Sequence, residues 1–346
     1  GSLIESALGR GIPVVTANKA LLAQEGTRLA AMAAAHGTDL EFEAAVGGVV
    51  PVIRTLRESL AGERVRRVMG IVNGTTNFIL SKMADEGGDY EEVLAEAQSL
   101  GLAERDPTAD VEGEDAAAKA AILASLAFGC AVPFDAVYRE GITRIRSVDV
   151  AFARDLGYAV KLLAIAEDLG DGRISARVHP TMVPLGHPLA AVSGAFNAVF
   201  IEGAAAGSIM LYGPGAGGPP TASAVLGDVI VAARRRLAES AAPAPTASLE
   251  RRVVPMAELT SAFYLSIDVA DRPGVLARVA TTFGDHGVSI RSMEQVGLGD
   301  EARLIFVTHV AKESSMAATI EALASLDSVD DVGGVLRVVA DEEGTL

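Results

Sequence analysis

The chain has one cysteine, Cys130, in 346 residues. A single thiol excludes an intramolecular disulfide and any Cys-cluster metal site. In its Ala-rich stretch Cys130 reads as a small core residue. Tryptophan is absent and aromatic residues make up only 4%. A chain that is 50% hydrophobic must therefore build its core from Ala, Val, Leu and Ile. Positive charge is also scarce: 29 Lys and Arg stand against 45 Asp and Glu, for a net charge of −16. That balance argues against nucleic acid and anionic membrane as partners, because both call for a basic surface. It does not exclude a phosphate-bearing cofactor, which backbone N–H groups can hold on an acidic protein. None of the five histidines (His36, His179, His187, His286, His309) has a partner at metal-ligand spacing, so each reads as structural. No apolar run reaches the roughly 18 residues of a membrane span. No secretory leader pattern is visible, and the expected location is cytoplasmic.

What is present has α/β character. Residues 3–38 read as helix, strand, helix, with a short strand over 12–17 and an Ala/Leu helix over 19–36. A strand over 39–46 meets Gly47-Gly48, and a helix over 51–60 starts at a proline, which suits a first turn. Further expectations are a strand over 64–73, helices over 75–84, 90–100, 114–128 and 149–168, and a strand over 173–183. Two strand-like pieces over 193–202, a Gly-rich loop over 213–218 and a helix over 221–238 complete the body. Ser240 to Ser248 is rich in Pro, Ala and Ser and reads as a linker.

The C-terminal part has a clear period. Strands over 263–270, 289–297, 302–310 and 332–340 alternate with helices over 273–286 and 314–326, and a turn is expected at Gly299-Asp300. The apolar residues Leu276, Val279, Ala280 and Phe283 follow helical spacing. The order βαββαβ is the ferredoxin-like arrangement. Asp271-Arg272-Pro273-Gly274-Val275-Leu276 sits at the first strand-to-helix turn, where Pro starts a helix and Gly lets a ligand approach the backbone. This module resembles an ACT domain, a class that binds amino acids. The resemblance implies an effector site at Asp271, Pro273, Gly274, Val275 and Leu276.

Four stretches of the body carry chemistry. In Val15-Thr16-Ala17-Asn18-Lys19 a lysine follows a strand, at the end where open α/β sheets bind ligands. Glu43-Ala44-Ala45-Val46-Gly47-Gly48-Val49-Val50 can offer oxygens to a hard cation, or can simply be a turn that needs glycines. Asn73-Gly74-Thr75-Thr76-Asn77 opens a helix, where N–H groups suit an anion or an amide but also ordinary capping. Glu104 to Lys119 is the most informative. Its acids repel one another unless solvated or met by a cationic ligand. Asp115 and Lys119 lie one helical turn apart on an otherwise Ala/Ile/Leu helix. That is how a lysine can be buried, held charged and aimed for proton transfer.

Taken in order, TANKALL, FEAAVGGVVPVI, GIVNGTTNFIL, AERDPTADVEGEDAAAK and YGPGAGGPPTASAVLGD resemble the motifs of homoserine dehydrogenases over residues 12–230. The resemblance implies reduction of L-aspartate 4-semialdehyde to L-homoserine with NADP(H) or NAD(H). It implies Lys119 as proton donor, Lys19 as a second catalytic lysine near the cofactor, Glu104 and Asp115 as holders of the substrate ammonium, and Asp110 as a further substrate-binding acid of that loop. It implies cofactor contacts at Thr16, Lys19, Gly217 and Thr221, and a sodium site at Glu43 with Val46, Gly48 and Val50. It further implies a threonine effector and a homodimer or homotetramer.

The expected organisation follows. Residues 1–38 are the last part of a Rossmann-type nucleotide-binding domain, and 39–239 form an α+β catalytic and dimerisation domain. Residues 240–258 are a linker and 259–346 the ACT domain. The Gly-rich strand-to-helix turn that cradles a dinucleotide pyrophosphate does not precede Lys19, so the front of the Rossmann domain is expected to be missing and NADPH binding to be poor. Two other readings remain open here: another semialdehyde reductase, and a truncated, non-catalytic amino-acid sensor.

Overall fold

The computed structural model describes residues 1–240, 249–297 and 301–339. Residues 241–248 of the expected linker, the turn at Gly299-Asp300 and Ala340 of the last expected strand lie outside the described residues.

The chain opens with α1 (Ser2–Gly9), β1 (Val14–Val15), α2 (Lys19–Ala35) and β2 (Leu40–Glu41). β1 and β2 pair in parallel, Val14 opposite Leu40, with α2 as the crossover. After Pro51, α3 (Val52–Arg54) loosens into a π-helical turn over Thr55–Ser59. β3 (Val65–Ile71), α4 (Gly74–Glu86), α5 (Tyr90–Ser99), the single-turn α6 (Thr108–Val111) and α7 (Glu114–Phe128) follow. Then come β4 (Tyr138–Arg139), α8 (Ser147–Asp155), β5 (Tyr158–Gly170), β6 (Arg173–Pro184), β7 (Phe196–Gly203), β8 (Gly207–Pro214) and α9 (Gly218–Leu237). Strands β8, β7, β3, β5 and β6 form one antiparallel sheet in that order.

The second half of the expected helix over 149–168 is β5. Leu162, Leu163, Ala164, Ile165 and Ala166 favour a helix in isolation, but here they lie between β3 and β6 with both faces buried. Even-numbered residues pack on the main core, while Leu163 and Ile165 face a second cluster with Met69, Ile71 and Phe200. A strand covered on both faces reads as a continuous apolar run, so periodicity could not identify it. The two strand-like pieces over 193–202 are one strand, β7. Its hairpin partner β8 had no reading, because its glycines and exposed positions hide the alternation.

Lys161 shares that second face of β5 and is 4% exposed. Its ammonium donates to the Val192 carbonyl at 2.6 Å and to Asn77 Oδ1 at 3.3 Å. Burial pushes it down to about 8, against the weaker pull of Asp85. The folded state therefore holds this proton less tightly than the unfolded chain, whose lysine titrates near 10.4. Stability contributed by this group rises with pH between about 8 and 10.4, by about 3 kcal/mol in all. Lys161→Met should lack that rise. Urea unfolding of both chains from pH 7 to 10 checks it, and parallel pH curves would refute it.

After β9 (Arg252–Val253), the C-terminal module runs β10 (Thr260–Ala270), α10 (Val275–Asp285), β11 (Ile290–Gly297), β12 (Glu301–Thr308), β13 (Ala311–Lys312), α11 (Glu313–Ala324) and β14 (Val329–Val338). Its strands order β14–β10–β12–β11, as the ferredoxin-like reading requires. Alternation along β10 sorts its side chains. Phe263, Leu265, Ile267 and Val269 pack in the module's own core, while Ala262 and Tyr264 join the core of the body. β14 also pairs in parallel with β6, Arg337 opposite Thr181, so the module's sheet continues the sheet of the body.

Candidate active site

The site is built around α7. Glu114 and Asp115 in its first turn complement the positive end of the helix dipole. Gly129, at φ 60°, ends it in the left-handed conformation. The helix is buried from Asp115 through Ala124. One turn of spacing puts Asp115 and Lys119 on one face, 7% and 8% exposed. Lys119 Nζ donates to Asp115 Oδ2 at 2.7 Å and to the Val72 carbonyl at 2.6 Å. An ammonium has three N–H groups, so one is left for a ligand.

Two other segments close on the same carboxylate. Lys19 is the first residue of α2, behind Asn18, whose side chain caps Leu21 N–H at 3.1 Å. Its half-exposed side chain forms an ion pair with Asp115 Oδ1. Asn73 caps α4 through Oδ1, accepting from Thr76 N–H at 2.9 Å. Its Nδ2 donates to Asp115 Oδ2 at 2.9 Å and Asp110 Oδ1 at 2.7 Å. One buried carboxylate thus bridges two lysines. Burial alone would raise the Asp115 carboxyl, but Lys119 and Lys19 outweigh it and hold the group at about 2.

Asn73 opens a stretch expected to meet an anion or an amide or to cap a helix, but its bond to Asp115 was not among the expected contacts. The signal was an asparagine at a cap, where only Oδ1 is consumed and Nδ2 stays free to donate. Glu104 lies apart: it is exposed, and Gln98 donates to its main-chain carbonyl at 3.1 Å. Among the described residues no hydrogen bond or ion pair joins its carboxylate to the cluster.

Glu43 is 5% exposed, and each of its carboxylate oxygens accepts a backbone N–H. Oε1 accepts from Ile53 N–H at 2.7 Å and Oε2 from Arg54 N–H at 3.0 Å, capping α3. Its own N–H donates to Asp228 at 2.8 Å. Burial pushes the Glu43 carboxyl up, opposed by these two N–H donors. Each oxygen accepts one backbone N–H and keeps further lone-pair capacity, so these bonds orient the carboxylate and leave its expected role toward a cation open. The loop beyond it, with Gly47 and Gly48 at φ 73° and 65°, abuts the Gly-rich loop. A Cβ on Gly48 would lie 2.6 Å from the Gly215 backbone.

Thr16 N–H pairs with the Glu41 carbonyl at 3.0 Å, and its Oγ1 accepts from Asn18 N–H at 3.1 Å. Gly217 caps α9 at φ 112°, and Thr221 N–H closes the first turn on its carbonyl at 3.1 Å. α9 runs antiparallel to β1 and β2. Arg235 meets Asp39, Asp228 meets the Glu43 N–H, and the Pro214 carbonyl lies 3.4 Å from Val49 N. The N-terminus of α9 therefore lies at the carboxyl end of the β1–β2 pair, the end where Lys19 stands. A helix N-terminus and a Gly-rich loop there suit a phosphate or amide of a dinucleotide. Among the described residues no Gly-rich strand-to-helix turn precedes Lys19.

In the C-terminal module, Asp271 through Leu276 line a cavity of about 360 Å³ with Gln295 and Leu304. Gly274, at φ 89°, begins α10 there.

Known proteins match this chain throughout. The pattern of the homoserine dehydrogenase family matches residues 51–230, and that of the ACT domain residues 263–328. A homoserine dehydrogenase of Mycobacterium tuberculosis (strain H37Rv) is 53% identical over 99% of this chain and 79% of its own length. The crystal structure of a homoserine dehydrogenase from Thiobacillus denitrificans superposes with a TM-score of 0.92 at 41% identity, covering 98% of this chain and 79% of that one. A hyperthermophilic archaeal homoserine dehydrogenase in complex with NADPH gives a TM-score of 0.59 at 36% identity over 68% of each chain.

Proposed function

The chain belongs to the homoserine dehydrogenase family, and on that premise we propose how its residues carry the reaction. The activity is the interconversion of L-aspartate 4-semialdehyde and L-homoserine with a nicotinamide cofactor, and the ACT domain accords with feedback control. The observation that supports the residue roles best is the Lys19–Asp115–Lys119 bridge.

Lys119 directs its remaining N–H to the aldehyde oxygen of the substrate. As that carbon takes up hydride, the proton passes from Lys119 Nζ to the new alkoxide, giving the hydroxyl of homoserine. Lys19 steadies the same developing charge, the kind of placement that contributes most to such steps. Asp115 aims both ammoniums. Asp110 and the exposed Glu104 meet the substrate ammonium together with Asp115. The nicotinamide, NADPH or NADH, supplies the hydride when bound; Thr16, Lys19, Gly217 and Thr221 would hold it. A monovalent cation such as sodium near Gly47-Gly48 would be held by Glu43 with the carbonyls of Val46, Gly48 and Val50.

The cavity at Asp271 to Leu276 takes an amino-acid effector, threonine in this reading. A cytoplasmic location and assembly into a homodimer or homotetramer complete it.

The test is a steady-state assay of NADP⁺ and NAD⁺ reduction with homoserine, alongside other hydroxy amino acids, with and without threonine. Turnover selective for homoserine and depressed by threonine is the expected result. Turnover of other alcohols at equal kcat/KM would sink the assignment of the acidic loop to an amino-acid substrate.

A further inference from the structure

From the contacts between the C-terminal module and the body, we propose that Arg337 and Glu140 are positioning residues for the acidic substrate loop: β14 of the module braces the loop through the segment 138–142. The proposal rests on the reading of Asp110 and Asp115 given above.

Arg337 lies on β14 and is 7% exposed. Its guanidinium holds Glu313 at the start of α11 through Nε at 3.3 Å and NH2 at 2.9 Å. Through NH1 it reaches across to Glu140 of the body, and the Tyr138 hydroxyl donates to that same glutamate. Arg337 also lies over the rings of Tyr138 and Phe263, at 5.7 and 5.9 Å. A planar guanidinium with two carboxylates fixes direction as well as charge.

Segment 138–142 is in turn wedged against the end of α6. Glu140 N–H donates to the Val178 carbonyl and Ile142 N–H to the Val111 carbonyl, both at 2.8 Å. Thr143 Oγ1 donates to Glu112 at 3.0 Å. Gly141 is where backbone meets backbone: any Cβ there would fall inside contact distance of the Val111 carbonyl. Gly113 repeats this from the other side, its missing Cβ 3.3 Å from the Glu140 carbonyl. Val111 is the residue after Asp110, whose carboxylate takes the Asn73 amide, and Asp115 lies in the first turn of the next helix, two residues beyond Gly113. A shift of Glu140 is therefore passed to both acids by main-chain contact, with little side-chain freedom to absorb it.

A second tie joins module and body independently. Arg146 contacts Asp268 at 3.0 Å, Asp331 at 3.2 Å and Ser266 at 2.6 Å. It holds the module in place without touching the acidic loop, and it supplies a control.

The experiment compares Arg337→Lys, Glu140→Gln and the control Asp331→Asn in the full chain. The first two should raise the homoserine KM roughly fivefold or more, within what packed networks transmit, with a smaller fall in kcat through Asp115. The amides of Ile142 and Gly113 should exchange hydrogen faster in both, and the control should change neither. Unchanged KM and exchange in folded Glu140→Gln would overturn the proposal. So would an equal rise of KM in Asp331→Asn, which would reduce the effect to general loosening of the module. Exchange is read without substrate. A chain that turned over no homoserine would therefore defeat the functional reading, and the exchange data would still decide the brace.

Discussion

Lys119→Met should lower kcat for homoserine oxidation by roughly 10³-fold, within the 10²–10⁴ that one positioned general acid or base contributes. Methionine fills nearly the same volume, so the helix is not opened. What disappears is the one N–H that neither Asp115 nor the Val72 carbonyl consumes. Those two acceptors lose a donor as well, at a stability cost of about 1–3 kcal/mol, which a folded domain of this size tolerates. KM for homoserine should change little, because substrate recognition falls to the acidic loop. Lys19→Met should lose less, since that side chain is half exposed and water can replace part of its charge. Initial rates and far-UV circular dichroism on the same preparations separate chemistry from folding. A kcat within tenfold of the parent in a folded Lys119→Met would remove this lysine from the proton transfer.

The second large effect is on Asp115→Asn, and it strikes stability and turnover together. Two ammoniums share this carboxylate, and Lys119 is buried beside it. Breaking a buried pair by removing one partner costs roughly 3–5 kcal/mol, because the remaining charge is left uncompensated. An asparagine oxygen can accept from one lysine, but its NH2 then faces the second ammonium or the Asn73 amide. The pH dependence gives a sharper test. In the folded chain the Asp115 carboxyl is held at about 2, below the ordinary 3.8. Its contribution is therefore fully present above about 3.8 and is lost as pH falls through about 2, amounting to about 2 kcal/mol. The difference in unfolding free energy between the parent and Asp115→Asn should be constant from pH 7 to 5 and shrink toward pH 2. Urea titrations across that range measure it. A difference that stays flat to pH 2 would mean that the carboxylate is not held by the two lysines.

The Asp115–Lys119 contact was legible because it is local: four residues apart on a helix whose other side chains are Ala, Ile and Leu. The strand-to-helix turn at Asn73 was legible as a cap, but its second bonds were not. Lys19 lies 96 positions from Asp115, and nothing in either segment announces the other. The Glu43 motif was legible as well, but the two backbone N–H groups that its carboxylate accepts, at the start of α3, were not.

The sequence by itself determined the order of the main elements in the C-terminal module, most helices of the body, and the set of polar residues from which a site could be made. Each of these rests on contacts within a few residues, where spacing and side-chain chemistry are enough. Tertiary structure alone decided that Leu162 to Ala166 form a strand, since burial on both faces overrides helical preference. It alone brought Lys19 and Asn73 onto one carboxylate, and joined β14 to β6 so that Arg337 of the module reaches Glu140 of the body. Such contacts are chosen by which surfaces can be buried together without leaving a charge or an N–H unpaired. That balance is settled over the whole chain, and no single segment carries it.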